Sequence, residues 1–102
     1  MTHEYFCASL GAILKTARLK KGVSQYALAD AAGVGRRYIQ RIENGHQETS
    51  LSTLFDLARA LEISPMLIVG ELEYAMLNGM LPESVQATLP PKKLGRPKKK
   101  QP

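Results

Sequence analysis

The stretch from Ser24 to Gly45, Ser-Gln-Tyr-Ala-Leu-Ala-Asp-Ala-Ala-Gly-Val-Gly-Arg-Arg-Tyr-Ile-Gln-Arg-Ile-Glu-Asn-Gly, leaves the chain little conformational choice. Ser24 is a strong N-cap for a helix over 25–32, in which Ala27, Leu28 and Ala31 supply small packing side chains. Gly33 stands where that helix must stop abruptly, in a left-handed conformation that glycine adopts without steric cost. Val34 then turns into the core, and Gly35 caps a third helix, 36–44, closed by Asn44-Gly45. On this helix Ile39 and Ile42 face inward, while Arg36, Arg37, Gln40 and Arg41 face out. A compact helix pair whose second member exposes long hydrogen-bond donors has the geometry that enters a DNA major groove.

The flanking segments continue in helical period. Phe6, Leu10, Ile13, Leu14, Ala17 and Arg18 predict a first helix over 5–20, ending at Lys20-Lys21-Gly22. Ser52 is expected to cap a helix over 53–61 with Leu54, Leu57, Ala58 and Leu61 on one face, and Ser64-Pro65 opens a fifth. The fold class is therefore all-α. A compact five-helix DNA-binding domain is expected over 1–70, an apolar extension over 71–91 and a disordered basic tail over 92–102. In the extension Gly70 and Gly79 interrupt the apolar stripe, and Pro82 begins a short helix over 83–88. Met66, Leu67, Val69, Leu72 and Met76 exceed what one small core needs, which marks a homodimer interface. The apolar stripe of 71–91 suits a protein partner equally well.

Charge is unevenly placed. The chain has 102 residues and a net charge of +5, but residues 1–91 hold eight Lys and Arg against all nine acids. The other six bases, Lys92, Lys93, Arg96, Lys98, Lys99 and Lys100, sit in the last eleven residues with no acid among them. The folded part must therefore meet nucleic acid through local placement of charge, not net attraction. The single Cys7 excludes an intramolecular disulfide, and no stretch approaches the roughly 18 apolar residues of a membrane span. The expected setting is the cytoplasm. His3 and Cys7 share a helix face, but two ligands do not close a metal site and His46 lies in a distant loop. No nucleophile–base arrangement is visible either, so neither a cofactor nor catalysis is expected.

From Leu14 to Val69 the chain resembles the lambda-repressor and Cro-like helix-turn-helix family, also called the xenobiotic-response-element type. The match is carried by Arg18, Gly22-Val23-Ser24-Gln25, Leu28-Ala29, Gly33-Val34, Ile39 and Ile42-Glu43-Asn44-Gly45, and further on by Leu51-Ser52-Thr53-Leu54, Leu57 to Leu61 and Ser64-Pro65. The resemblance implies that Gln25 and Asn44 bind phosphates and fix register, with Ser24 adding a phosphate bond to its capping one. Arg36, Arg37 and Arg41 match base-edge positions, with Gln40 adjacent. An arginine fork pairs bidentately with guanine O6 and N7 whereas glutamine prefers adenine, so a half-site with at least one G·C pair is expected. The bland alternative for each arginine is a phosphate contact. Tyr38 either donates to a phosphate or leans on the helix pair. Arg18 and Glu43 match a pair joining the first helix to the third. Arg18 lies on the apolar side of its helix, where a buried guanidinium demands a carboxylate. Gly35 departs from the family, which usually has Ser or Thr there.

The tail Lys92-Lys93-Leu94-Gly95-Arg96-Pro97-Lys98-Lys99-Lys100 resembles an AT-hook, whose Gly95-Arg96-Pro97 centre would lie in an A·T-rich minor groove. Leu94 replaces that family's first Arg, and a polybasic segment that only touches phosphates is the alternative. Together these features imply a bacterial or phage regulator. A dimer would set two third helices into successive major grooves of double-stranded DNA, about 34–36 Å apart. The rival readings are an antitoxin-like protein that binds a partner through 71–91, and a nucleoid-architectural protein.

Overall fold

Each helix of the computed structural model, which describes residues 2–88, begins or ends on a residue suited to that position. The order is α1 (His3–Lys21), α2 (Gln25–Ala32), α3 (Arg36–Glu43), α4 (Leu51–Leu61), α5 (Pro65–Asn78) and α6 (Glu83–Thr88), with no strand among the described residues. The Thr2 and Ser24 hydroxyls accept from the amides of Tyr5 and Ala27, at 3.0 and 2.9 Å. Each takes up one of the four amides that a helix start leaves without an internal partner. Ser64 accepts likewise from Met66, beside Pro65 in the first turn. Gly33 ends α2 at φ 75°, as its placement between two helices requires.

The start of α4 corrects the sequence expectation. Its cap is Ser50, not Ser52: the extended backbone at Ser50 lets its Oγ accept from Thr53 N at 3.2 Å. Ser52 falls inside the first turn, so the two serines differ by backbone position and not by residue type. In α2 the faces are also redistributed, since Leu28, Ala29 and Ala32 are buried while Ala27 and Ala31 meet solvent.

The core is aliphatic. Leu10, Ile13 and Leu14 of α1 meet Leu28, Ile39, Ile42, Leu54, Leu57, Leu61, Ile68 and Val85 in one cluster. Each such side chain contributes about 1.5–3 kcal/mol on leaving water, against the entropy of ordering the chain. Helix α1 forms the spine: it touches α3, α4, α5 and α6, while α2 packs on α3 and α4.

Gly70, expected to interrupt the apolar stripe, does not break the helix. A lone glycine costs a helix about 1 kcal/mol relative to alanine, too little to end one whose neighbours Ile68 and Leu72 are anchored in the core. Helix α5 runs on to Gly79, which ends it at φ 69°. The boundary expected at residue 70 thus falls inside α5. Val85 of α6 is fully buried, so residues 71–88 are built onto the same core. The basic residues of 92–102 lie outside the described residues. Within the described residues, no helix is long and apolar enough to cross a membrane.

Candidate nucleic-acid interface

Helix α3 is divided cleanly between its two faces. Ile39 and Ile42 are buried, and Arg36, Arg37 and Arg41 are exposed on the opposite side with Gln40 half-buried beside them. Gly35 offers no side chain to the first turn, and the amides of Tyr38 and Ile39 return to its carbonyl at 3.1 and 3.3 Å. A hydrophobic inner face this narrow would not by itself hold an eight-residue helix at a fixed angle.

Two devices supply the angle. The first is the Arg18–Glu43 pair, expected from the sequence. Arg18 Nε donates to Glu43 Oε2 at 2.6 Å and Nη2 to Oε1 at 3.0 Å, a bidentate fork between α1 and the end of α3. The third nitrogen, Nη1, donates to the Val23 carbonyl at 2.9 Å, which ties in the α1–α2 turn as well. The second device was not read from the sequence. At Gly11 a Cβ would run into the Ile42 carbonyl oxygen and stand 2.9 Å from that of Glu43. Helix α1 therefore approaches the last turn of α3 more closely than any side chain permits. An isolated glycine inside the helical pattern of α1 was the available signal.

The expected phosphate-binding residues are placed differently from one another. Ser24 is exposed, and its oxygen accepts from Ala27, so its own proton remains for an outside acceptor. Gln25 is half-buried, and its Nε2 donates to Glu43 Oε1 at 3.0 Å, which makes it part of the buried network as well. Tyr38 packs on the core, and its hydroxyl donates to Thr49 Oγ1 in the following loop at 3.1 Å. Asn44 is exposed at the end of α3. Among the arginines, Arg41 is held by the following loop, whereas no partner among the described residues takes the guanidinium of Arg36 or Arg37.

The expected dimer residues separate in the same way. Met66, Leu67 and Val69 are exposed, but Leu72 packs against the chain's own core and Met76 is half-buried. Leu77, which the sequence reading passed over, is 77% exposed. His3 and Cys7 do meet, Nε2 to Sγ at 3.5 Å, with no cluster of three metal-ligating groups among the described residues.

Two short helices joined by a tight turn, the second presenting arginines from a braced position, define a DNA-binding module. The helix-turn-helix family model matches residues 14–68, more than half of the chain, and the chain belongs to that family. The immunity repressor protein of Bacillus phage phi105 is 38% identical over 63 residues, covering 62% of this chain and 44% of that protein. The chain thus spans less than half the length of that curated relative. Among solved structures, the restriction-modification controller protein C.AhdI from Aeromonas hydrophila is similar with 34% identity and a TM-score of 0.64, over 67% of this chain and 99% of that one. The clp gene regulator ClgR from Corynebacterium glutamicum is similar with 32% identity and a TM-score of 0.66, over 71% of this chain and 77% of that one. A third, the controller protein C.Esp1396I, was solved as a tetramer on its natural 35 base-pair operator, and matches with 26% identity, a TM-score of 0.64, and coverage of 72% and 96%. The chain is a helix-turn-helix DNA-binding protein.

Proposed function

We propose that this protein is a repressor that occupies a palindromic operator as a homodimer, each subunit setting α3 into the major groove. The observation that carries the reading is the outer face of α3. It presents Arg36, Arg37 and Arg41 to solvent from a helix fixed at its far end by Arg18 and Glu43. Each bidentate arginine–guanine pair discriminates against a wrong base by about 1–3 kcal/mol, and Gln40 beside the arginines would favour adenine. Ser24, Gln25 and Asn44 would fix the register on phosphates, and Lys92, Lys93, Arg96 and Lys98–Lys100 would extend contact into flanking DNA. A relative that is an immunity repressor and a similar controller protein solved on its operator support the same reading.

Selection of bound sequences from a random DNA pool tests it. The expected result is a two-fold-symmetric motif with G·C pairs in each half, the half-sites one helical turn or a multiple apart. Recovery of unenriched DNA would leave only an architectural role.

The dimer seam is proposed along α5. Met66, 80% exposed, Val69 and Leu77 recur on one helical face, with the bare backbone of Gly70 alongside and Glu73 between Val69 and Leu77. That much apolar surface on one stripe calls for a covering partner, and a second copy supplies the symmetry a palindrome needs. Leu77→Glu is expected to shift sedimentation toward monomer and weaken operator binding with helicity unchanged, because Leu77 takes no part in the core. Leu72→Glu is the poorer probe, since Leu72 packs inward. A wild-type chain that stays monomeric at tens of micromolar would assign the stripe to another protein.

A further inference from the structure

Arg41 differs from the other two exposed arginines of α3 in being held before any DNA arrives. Its Nε donates to Gln47 Oε1 and its Nη2 to the His46 carbonyl, both at 3.3 Å. The loop that holds it is itself tied down. The His46 amide donates back to the Arg41 carbonyl at 2.9 Å, and Gln47 Nε2 donates to the Glu48 carbonyl at 3.1 Å. That last bond decides which way the Gln47 amide faces: its nitrogen is taken by Glu48, so its oxygen turns to Arg41. Two residues later, Thr49 accepts from Tyr38, which fastens the loop to α3 a second time.

We propose that Gln47 is a specificity-determining positioning residue, orienting the Arg41 guanidinium for guanine before contact with DNA. This rests on the base-reading role proposed above for Arg41. A guanidinium carries five N–H groups in a planar fork: one on Nε and two on each terminal nitrogen. The loop takes the Nε and one Nη2 hydrogen, which form one edge of the plane. The adjoining edge, made of the other Nη2 hydrogen and Nη1, has no partner among the described residues. Two parallel donors on that edge are what guanine O6 and N7 accept. The side chain then meets the groove with its plane already set, and it loses less freedom on binding than an unheld arginine does. Arg36 and Arg37 have no such support among the described residues and serve as internal controls.

The first test needs no DNA. Nitrogen-15 relaxation of the arginine Nε–H groups in the free protein should show Arg41 more ordered than Arg36 and Arg37, and Gln47→Ala should bring it down to their level. The second uses the motif selected by the wild-type chain. Arg41→Ala should erase the preference for guanine at one base pair of each half-site. Gln47→Ala should weaken that same preference about two- to tenfold, the scale set by one immobilised side chain, with affinity for random DNA and melting temperature unchanged. Gln47→Glu keeps an acceptor for Arg41 but gives up the bond to the Glu48 carbonyl, so it should retain more of the preference than Gln47→Ala does, while its added charge lowers affinity on all sequences alike. If Arg41→Ala alters no base preference, the base-reading role falls and this inference with it. If Arg41→Ala erases a preference that Gln47→Ala leaves intact, the role stands and the inference alone is overturned.

Discussion

Arg18→Met is expected to destabilise the chain by about 3–5 kcal/mol, the usual cost of leaving one member of a buried ion pair without the other. Methionine reproduces the apolar stem of arginine, so the change removes the charge and its bonds more than the packing. What remains is the Glu43 carboxylate, 3% exposed as a side chain, with Gln25 as its one other side-chain donor among the described residues. The turn at Val23 loses its tie in the same step. For a domain this small the loss corresponds to a melting temperature lower by more than about 12 °C, which chemical and thermal denaturation both read. Arg18→Met combined with Glu43→Leu should recover much of it, since replacing both members by apolar groups removes the unpaired charge. A single-variant loss below about 1 kcal/mol would mean that water already reaches the pair, and α3 would then need another brace.

Removal of residues 92–102 is expected to weaken DNA binding strongly while leaving the melting temperature almost unchanged. The deletion takes away six bases and no acid, and leaves eight bases against nine acids in the rest of the chain. Each phosphate neutralised contributes about 0.9 to the log–log dependence of affinity on salt, so six bases set an upper bound of roughly five units per chain. About half of that is the expected share for a segment of this Pro- and Lys-rich composition. Titrations at several salt concentrations measure the change. Arg96→Ala separates the two modes of contact: it should abolish a preference for A·T-rich flanks if Arg96 enters the minor groove, whereas Lys98→Ala should lower affinity evenly. An unchanged salt slope on truncation would assign the tail to a protein partner.

Much of this architecture was legible because it depends on local chemistry. Ser24, Gly33 and Ser64 act through their own backbone positions, so residue type and spacing locate the helix ends they form. The Arg18–Glu43 pair was legible for a different reason: an arginine on an apolar helix face must find a carboxylate, and one stood at the matching family position. What depended on tertiary approach was not. Gly11 matters only because α1 and α3 come within backbone distance, which no local pattern states. Leu72 and Leu77 are equally apolar in the sequence, and only the packing of α5 turns one inward and the other out. The roles of Gln47 and Thr49 likewise depend on how the loop after α3 folds back.

Arg37 is the sharpest probe of base reading by α3, because it is exposed and has no partner among the described residues. The measurement is the affinity of the wild type and of Arg37→Ala for the selected site and for random DNA, at one fixed salt concentration. The expected result is a loss of about 1–3 kcal/mol on the selected site and much less on random DNA, with relaxed preference at one base pair per half-site. Equal losses on both kinds of DNA, with the base preference intact, would contradict it and make Arg37 a phosphate contact.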